Sequence, residues 1–212
     1  MSQYMEDAQL ADLLQELLNL ASSTGWAHRH GSVLTLSALL RNNPSPIFMS
    51  PLFSSIVDRL KNTLKDEKFP LREASTKALG RLLIHQVQSD PSNTTAVVDI
   101  LSSLVSALYD ESSEVRRRAL SALKSVAKAN PSAIVVHVTI YGPALAECLK
   151  DGSTPVRLAA ERCALHAFQL TKGTECVQAA QKFITGLDAR RLSKFPEHSD
   201  DSEESEDDST SG

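Results

Sequence analysis

The sequence of 212 residues is poor in aromatic residues, glycine and cysteine. Aromatic side chains make up 5% of the chain, which leaves few rings on which nucleic-acid bases could stack. The eight glycines do not form a GxGxxG, P-loop or GxSxG pattern, and this argues against a nucleotide-binding enzyme or an α/β-hydrolase. Cys148, Cys163 and Cys176 lack CxxC spacing and are odd in number, so reduced thiols in the cytosol or nucleus are the simplest interpretation.

Signals for a membrane, for secretion or for a metal are also lacking. The sequence contains no run of about 18 apolar residues, and its N-terminal stretch MSQYMEDAQLADLL has no basic region followed by an apolar one. His28 and His30 form an HxH pair, but residues two apart on a helix do not share a face. Neither HExxH nor carboxylates at metal spacing occur. We therefore expect a protein with no enzyme activity, no cofactor, no metal site and no membrane span.

The net charge of −4 conceals two regions of opposite charge. Residues 197–212 carry eight Asp or Glu and no Lys or Arg, which leaves residues 1–196 with 18 acidic and 22 basic side chains and a charge of +4. The acidic region has no apolar residue that could offset the entropy lost on ordering, so we predict a disordered tail over 196–212. Within it, Ser205 precedes Glu206, Asp207 and Asp208, a pattern that predicts phosphorylation by an acidophilic kinase.

Three segments align without a gap around an arginine and predict an internal repeat. They are LKDEKFPLREASTKAL, LYDESSEVRRRALSAL and LKDGSTPVRLAAERCA, and a weaker copy surrounds Arg29. The arginines are 43, 44 and 41 residues apart, within the period of roughly 40–47 expected for HEAT or armadillo repeats. In each strong copy an aspartate lies six positions before the arginine. These pairs are Asp66 and Arg72, Asp110 and Arg116, and Asp151 and Arg157.

Each copy has the side-chain pattern of two helices. Apolar residues lie sixteen, twelve and eight positions before the arginine, as at Ile56, Leu60 and Leu64, which is one face of a helix. Small residues three and six positions after it, as at Ser75 and Ala78, indicate a second helix that packs closely. We predict an all-α, HEAT/armadillo-type solenoid over 1–195. Its helix pairs are expected at 8–23/26–41, 50–65/70–88, 95–109/114–129 and 134–150/155–171, followed by a helix at 174–186.

Two further expectations concern the ends of helices. Ser113 and Thr154 precede the first helical position of their copies and are good N-caps. In the first helix, the apolar stripe of Leu10, Leu13, Leu14 and Leu17 is expected to lack a neighbour in this chain. A solenoid normally protects such a face with a polar cap, so we expect self-association or fraying there.

The repeated Asp and Arg predict a ladder between repeats. An aspartate in the turn can accept backbone N–H groups, and an arginine six residues later can reach it or its counterpart in the neighbouring repeat. Such a ladder holds repeats in register, and we prefer this structural role to direct contact with a ligand.

Basic residues gather on the second helices, which usually line the concave binding side of a solenoid. They are either solvated helix faces or a surface for an acidic protein or structured RNA. A charge of +4 over 196 residues is weak for a dedicated nucleic-acid binder. We therefore expect protein partners, without sequence-specific nucleic-acid binding or a small-molecule substrate. The candidate partner-binding residues are Arg117, Arg118, Lys124, Lys128, Arg190, Arg191 and Lys194.

Almost the whole chain resembles the C-terminal end of plant members of the general-control translational activator family. The resemblance is carried by LKDEKFPLREASTKALGRLL, SSEVRRRALSALKSVAKANPSA, GPALAECLKDGSTPVRLAAERCALHAFQL and, most specifically, LDARRLSKFPEHSDD. Members of this family are many times longer than 212 residues.

The resemblance implies a non-catalytic scaffold and regulator of translation in the cytosol. It implies association with translating ribosomes and activation of the kinase that phosphorylates the α-subunit of translation initiation factor two in amino-acid starvation. In this family, a HEAT segment binds the kinase's N-terminal RWD domain. The alternative is a free-standing HEAT-repeat adaptor unrelated to translation.

Overall fold

The computed structural model describes residues 7–42, 44–132 and 136–169, and within these ranges the regular structure is helical. Four pairs of helices follow one another, with a short extra helix, α3, between the first and second pairs. The helices are α1 (Asp7–Leu20), α2 (Trp26–Asn42), α3 (Pro44–Phe48), α4 (Phe53–Thr63), α5 (Phe69–Ser89), α6 (Thr94–Ala107), α7 (Ser113–Ala129), α8 (Val138–Cys148) and α9 (Thr154–Gln169).

The pairs α1/α2, α4/α5, α6/α7 and α8/α9 stack in chain order. Contacts run from α2 to α5, from α5 to α7 and from α7 to α9, so the second helices form one continuous layer. The chain is therefore an α-solenoid, the fold class predicted from the repeat.

Small residues allow the second helices to approach closely. Ser75, Ala119 and Ala160, each three residues after a repeat arginine, are fully buried. Gly80 of α5 lies so near α7 that a Cβ atom added to it would be 2.6 Å from the Cβ of Ala122. Close packing of this layer is the arrangement expected on the inner side of a curved stack.

The apolar stripes of the first helices supply the other half of the core. Ile56 and Leu60 are fully buried, and Leu64 packs partly buried against them. The expectation for α1 is wrong in part, because Leu14 and Leu17 are buried within this chain. Leu10 and Leu13 are half-buried against the same core.

The observed first residues of α7 and α9 differ from those expected from the predicted N-caps. Ser113 and Thr154 are the first residues of α7 and α9 rather than the residues before them. The turn carboxylates instead order the turns before these helices, because Oδ1 of Asp110 accepts the Ser112 N–H and Oδ1 of Asp151 accepts the Ser153 N–H, each at 2.8 Å. A short side chain that bonds two residues ahead forms such a turn readily.

Several predictions lie outside the described residues: the helix at 174–186, the basic residues Arg190, Arg191 and Lys194, and the tail with Ser205. Among the helices that the structure describes, none is long and apolar enough to cross a membrane.

Candidate partner-binding site

Three of the repeat arginines, Arg29, Arg72 and Arg116, join their own turn to the turn of the next pair. Arg72 donates from Nη1 to the carbonyl oxygens of Asp66 at 2.9 Å and Glu67 at 3.2 Å, in the turn before α5. Its other edge points to the following repeat, where Nε is 2.7 Å from Oδ2 and Nη2 is 2.9 Å from Oδ1 of Asp110. Glu111 adds a third carboxylate contact at 2.9 Å.

The same geometry recurs on both sides of this pair. Arg29 binds Asp66 with Nε at 2.9 Å, and Arg116 binds Asp151 with Nε at 2.7 Å and Nη2 at 2.9 Å. The hydrogen bond from Arg116 lowers the pKa of Asp151, and the bond to Asp151 raises the pKa of Arg116. These three arginines are thus saturated by main-chain carbonyls on one edge and carboxylates on the other, which suits a structural role.

A second cross-repeat bridge holds Arg118, one of the predicted partner-binding residues. Its Nη2 lies 3.0 Å from Oε1 of Glu73 on α5, and the side chains are 15% and 25% exposed. Arg118 therefore ties α7 to α5. The sequence did not indicate this pair, since the two residues are 45 positions apart and occupy different slots of the repeat.

A basic groove lies between α7 and α9. It encloses a volume of about 250 Å³, which is small for a drug-sized ligand but sufficient for a few side chains. The groove is lined by Arg117, Ser121 and Lys124 of α7 and by Pro155, Leu158, Ala159 and Arg162 of α9. It therefore joins two of the predicted basic residues, Arg117 and Lys124, to Arg162 of the next repeat.

The charges of the groove are poorly neutralised. Over the residues that the structure describes, Lys124 and Arg162 make no hydrogen bond or ion pair, and none of the lining residues is acidic. Among the described residues, the ion pair of Arg117 is with the exposed Glu114, at 3.2 Å on the same helix, a pair that contributes little at a surface. Leu158, 48% exposed, adds an apolar side chain to the three cations that line the groove.

Lys128, the remaining predicted residue on α7, is exposed but does not line the groove.

The two described cysteines do not offer a nucleophile. Burial raises the pKa of Cys148 to about 11 and that of the fully buried Cys163 to about 12, so both thiols stay protonated near neutral pH. In the part of the chain that the structure describes, no three His, Cys, Asp or Glu side chains are placed to hold a metal ion.

Comparison with known proteins identifies the family. The model of the GCN1-like, C-terminal HEAT repeats matches residues 29–183. The chain belongs to this family. It is 69% identical to the protein ILITYHIA of Arabidopsis thaliana over all 212 residues, which correspond to 8% of that protein. It is also 26% identical to the eIF-2-alpha kinase activator GCN1 of Saccharomyces cerevisiae, over 81% of this chain and 7% of the yeast protein.

Solved structures support the fold alone. An engineered protein matches with a TM-score of 0.59 at 20% identity, over 85% of this chain and 78% of the other. A designed armadillo repeat protein in complex with the peptide (KR)4 matches with a TM-score of 0.58 at 17% identity, over 84% and 81%. The chain is therefore built of HEAT repeats related to those of GCN1, and it spans less than a tenth of the length of its curated relatives.

Proposed function

We propose that this chain is a docking module of a translation-control scaffold and that its α7/α9 groove binds an acidic segment of a partner protein. The observation that carries the proposal is that Lys124 and Arg162, without counter-ions in the described chain, line the same groove as the exposed Leu158. Cations around an apolar contact suit a segment that presents carboxylates and one buried apolar side chain.

The family relationship suggests which partners to test. The yeast relative is an eIF-2-alpha kinase activator, and the Homo sapiens relative, 24% identical over 96% of this chain, is a stalled ribosome sensor. We infer that the partner segment belongs to the RWD domain of that kinase and that the longer scaffold associates with ribosomes in the cytosol. Both inferences rest on the family relationship and not on the groove itself.

The test is a titration of the labelled RWD domain with the full 212-residue chain at low ionic strength. Lys124→Glu together with Arg162→Glu should weaken binding by more than about tenfold, since charge-assisted hydrogen bonds contribute roughly 1.5–3 kcal/mol each. The effect should shrink as salt is added.

The matched control is the double variant Lys65→Glu and Lys150→Glu. Both lysines are exposed in turns outside the groove, so the control changes the net charge by the same amount without altering the groove. Equal losses of affinity in the two double variants would show that net charge, and not the groove, attracts the partner.

A second candidate function is supported by weaker relatives. The chain is 26% identical over 152 residues to the Homo sapiens proteasome adapter and scaffold protein ECM29. If this chain, like that relative, bound the proteasome, it would be an adaptor unrelated to translation. Capture of purified proteasomes but not of the RWD domain, abolished by the groove variant, would favour this function.

A further inference from the structure

The groove between α7 and α9 differs in charge from the equivalent positions of the other second helices. It is lined by residues one, five and eight positions after Arg116, and by residues two before and one, two and five after Arg157. At these positions, the α2/α5 interface has Glu73, and the α5/α7 interface has Glu73 and Glu114. The α7/α9 groove instead has three basic residues and no acidic one. They are Arg117, Lys124 and Arg162.

The groove lies where the pairing between second helices is interrupted. At the α5/α7 interface, Glu73 and Arg118 form a bridge of 3.0 Å. The corresponding positions at the α7/α9 interface are held by Arg117 and Ala159. A cation thus lies where the carboxylate would be, and a methyl group lies where the guanidinium would be, so the bridge cannot form. The space that remains is about 250 Å³.

Four hydrogen-bond donors line this space. Arg117, Ser121 and Lys124 are separated by four and three residues, which places them on one face of α7. Arg162 lines the same space from α9. The carbonyl oxygen of the half-buried Ser121 accepts from Ser125 at 3.0 Å, but over the described residues its hydroxyl donates no hydrogen bond. The groove therefore offers a neutral donor together with three cations.

We propose that this groove is a phosphate-binding site and that its ligand is a phosphoserine or phosphothreonine of the partner segment. The inference rests on the proposed docking of an acidic segment and names the acidic group. A phosphate ester carries a charge of about −1.5 to −2 near pH 7 and three strong acceptor oxygens. One carboxylate has a single charge and two oxygens, so it would neutralise only one of the three cations. Arginine, moreover, binds phosphate with two parallel hydrogen bonds.

The apolar part of the groove favours a protein segment over a nucleic acid. Pro155, Leu158 and Ala159 line it beside the cations, and Leu158 is 48% exposed. An apolar side chain next to the phosphorylated residue would cover this surface. Among the described residues that line the groove, none is aromatic, whereas proteins that bind single-stranded RNA stack its bases on aromatic rings.

The experiment is a fluorescence-anisotropy titration of three labelled peptides with the full 212-residue chain. Each peptide is otherwise uncharged and has, before a leucine, a phosphoserine, a Glu-Glu pair of similar charge or an unmodified serine. Because the phosphate concentrates its charge and acceptor oxygens at one point, the phosphoserine peptide should bind about tenfold more tightly than the Glu-Glu peptide. The serine peptide should show no saturable binding.

Variants of the groove separate phosphate recognition from net charge. Lys124→Glu with Arg162→Glu should abolish binding of the phosphoserine peptide, whereas the control with Lys65→Glu and Lys150→Glu should retain it. Ser121→Ala removes only the neutral donor. It should weaken binding of the phosphoserine peptide by about threefold and that of the Glu-Glu peptide by less. Far-UV circular dichroism checks that each variant remains helical, and Ser121→Ala still provides the test if a double variant unfolds.

The outcomes distinguish this inference from the function on which it rests. Equal affinities for the phosphoserine and Glu-Glu peptides would overturn the phosphate site but leave the docking of an acidic segment intact. Failure of both peptides to bind, or binding that persists in the groove variant, would overturn both. If a uridine oligonucleotide bound through the groove and the phosphoserine peptide did not, the ligand would be a nucleic-acid backbone and the proposal would be wrong.

Discussion

Arg116 and Asp151 form a bidentate ion pair between the third and fourth helix pairs, with Nε 2.7 Å from Oδ2 and Nη2 2.9 Å from Oδ1. The same arginine also holds the carbonyls of Asp110 and Glu111 in its own turn. A single guanidinium therefore fixes one turn internally and joins it to the next. This dual role makes the ladder a device for setting the register of the stack.

Removing Arg116 should destabilise the stack more than removing its neighbour. Arg116→Ala removes the guanidinium that donates to the partly buried Asp151 carboxylate and to two carbonyls, which should cost about 1–3 kcal/mol. Arg117→Ala removes only the exposed contact to Glu114 and should cost under about 0.5 kcal/mol. Denaturant unfolding of the two variants measures the difference, and equal losses would show that the ladder contributes nothing beyond surface charge.

Gly80 and Gly31 should respond in opposite directions to alanine. At Gly80 the new Cβ would lie 2.6 Å from the Cβ of Ala122, so α5 and α7 must separate, at a cost of about 1–3 kcal/mol. At Gly31, inside α2, nothing lies within 4 Å of the added atom. Alanine there should stabilise the chain by about 0.4–1 kcal/mol. The two melting temperatures test this directly; a rise for both variants would disprove the close contact.

Acid should weaken the ladder. Because the hydrogen bond from Arg116 lowers the pKa of Asp151 in the folded state, the resulting stability is present above the unfolded pKa of about 3.9. It is lost as the pH falls through the lower folded pKa. Asp151→Asn should be less stable than wild type at pH 7, and the two unfolding free energies should converge as the pH is lowered below about 4.

The control for this pH series is Asp58→Asn, at an exposed carboxylate of α4. It should track the wild-type curve from pH 7 downward. If Asp151→Asn also tracked the wild type, the Arg116–Asp151 pair would not contribute to the pH dependence.

The two buried thiols should be inert in the native protein. With a pKa raised to about 11, Cys148 is ionised in about one molecule in a thousand at pH 8, and Cys163, at about 12, in fewer. Iodoacetamide at pH 8 should therefore leave both unmodified until denaturant is added, as read by peptide mass spectrometry. Alkylation of Cys163 in the native state at the rate of free cysteine would contradict its burial.

The helix pairs were predictable because a solenoid is built from local repeats. The arginine at a period of 41 to 44 residues and the apolar stripes before it depend only on neighbours within one or two helices. The short helix α3 was missed, since a segment of five residues with two prolines, Pro44 and Pro46, carries no periodic pattern. This helix packs on the rest of the chain through a tertiary contact, in which Phe48 stacks on His85 of α5 with 3.9 Å between the ring centroids.

The amino-acid sequence by itself determined the fold class and the repeat, because identical slots recur along the chain. Only the tertiary structure decided what each basic side chain does. Arg118 is bound to Glu73 across 45 residues, whereas Lys124 and Arg162 meet in one groove on neighbouring helices. The helical pattern of the sequence predicts which face of a helix a residue occupies, but the side chain that pairs with it on that face belongs to another repeat. Counter-ions across an interface therefore cannot be assigned until the helices are stacked.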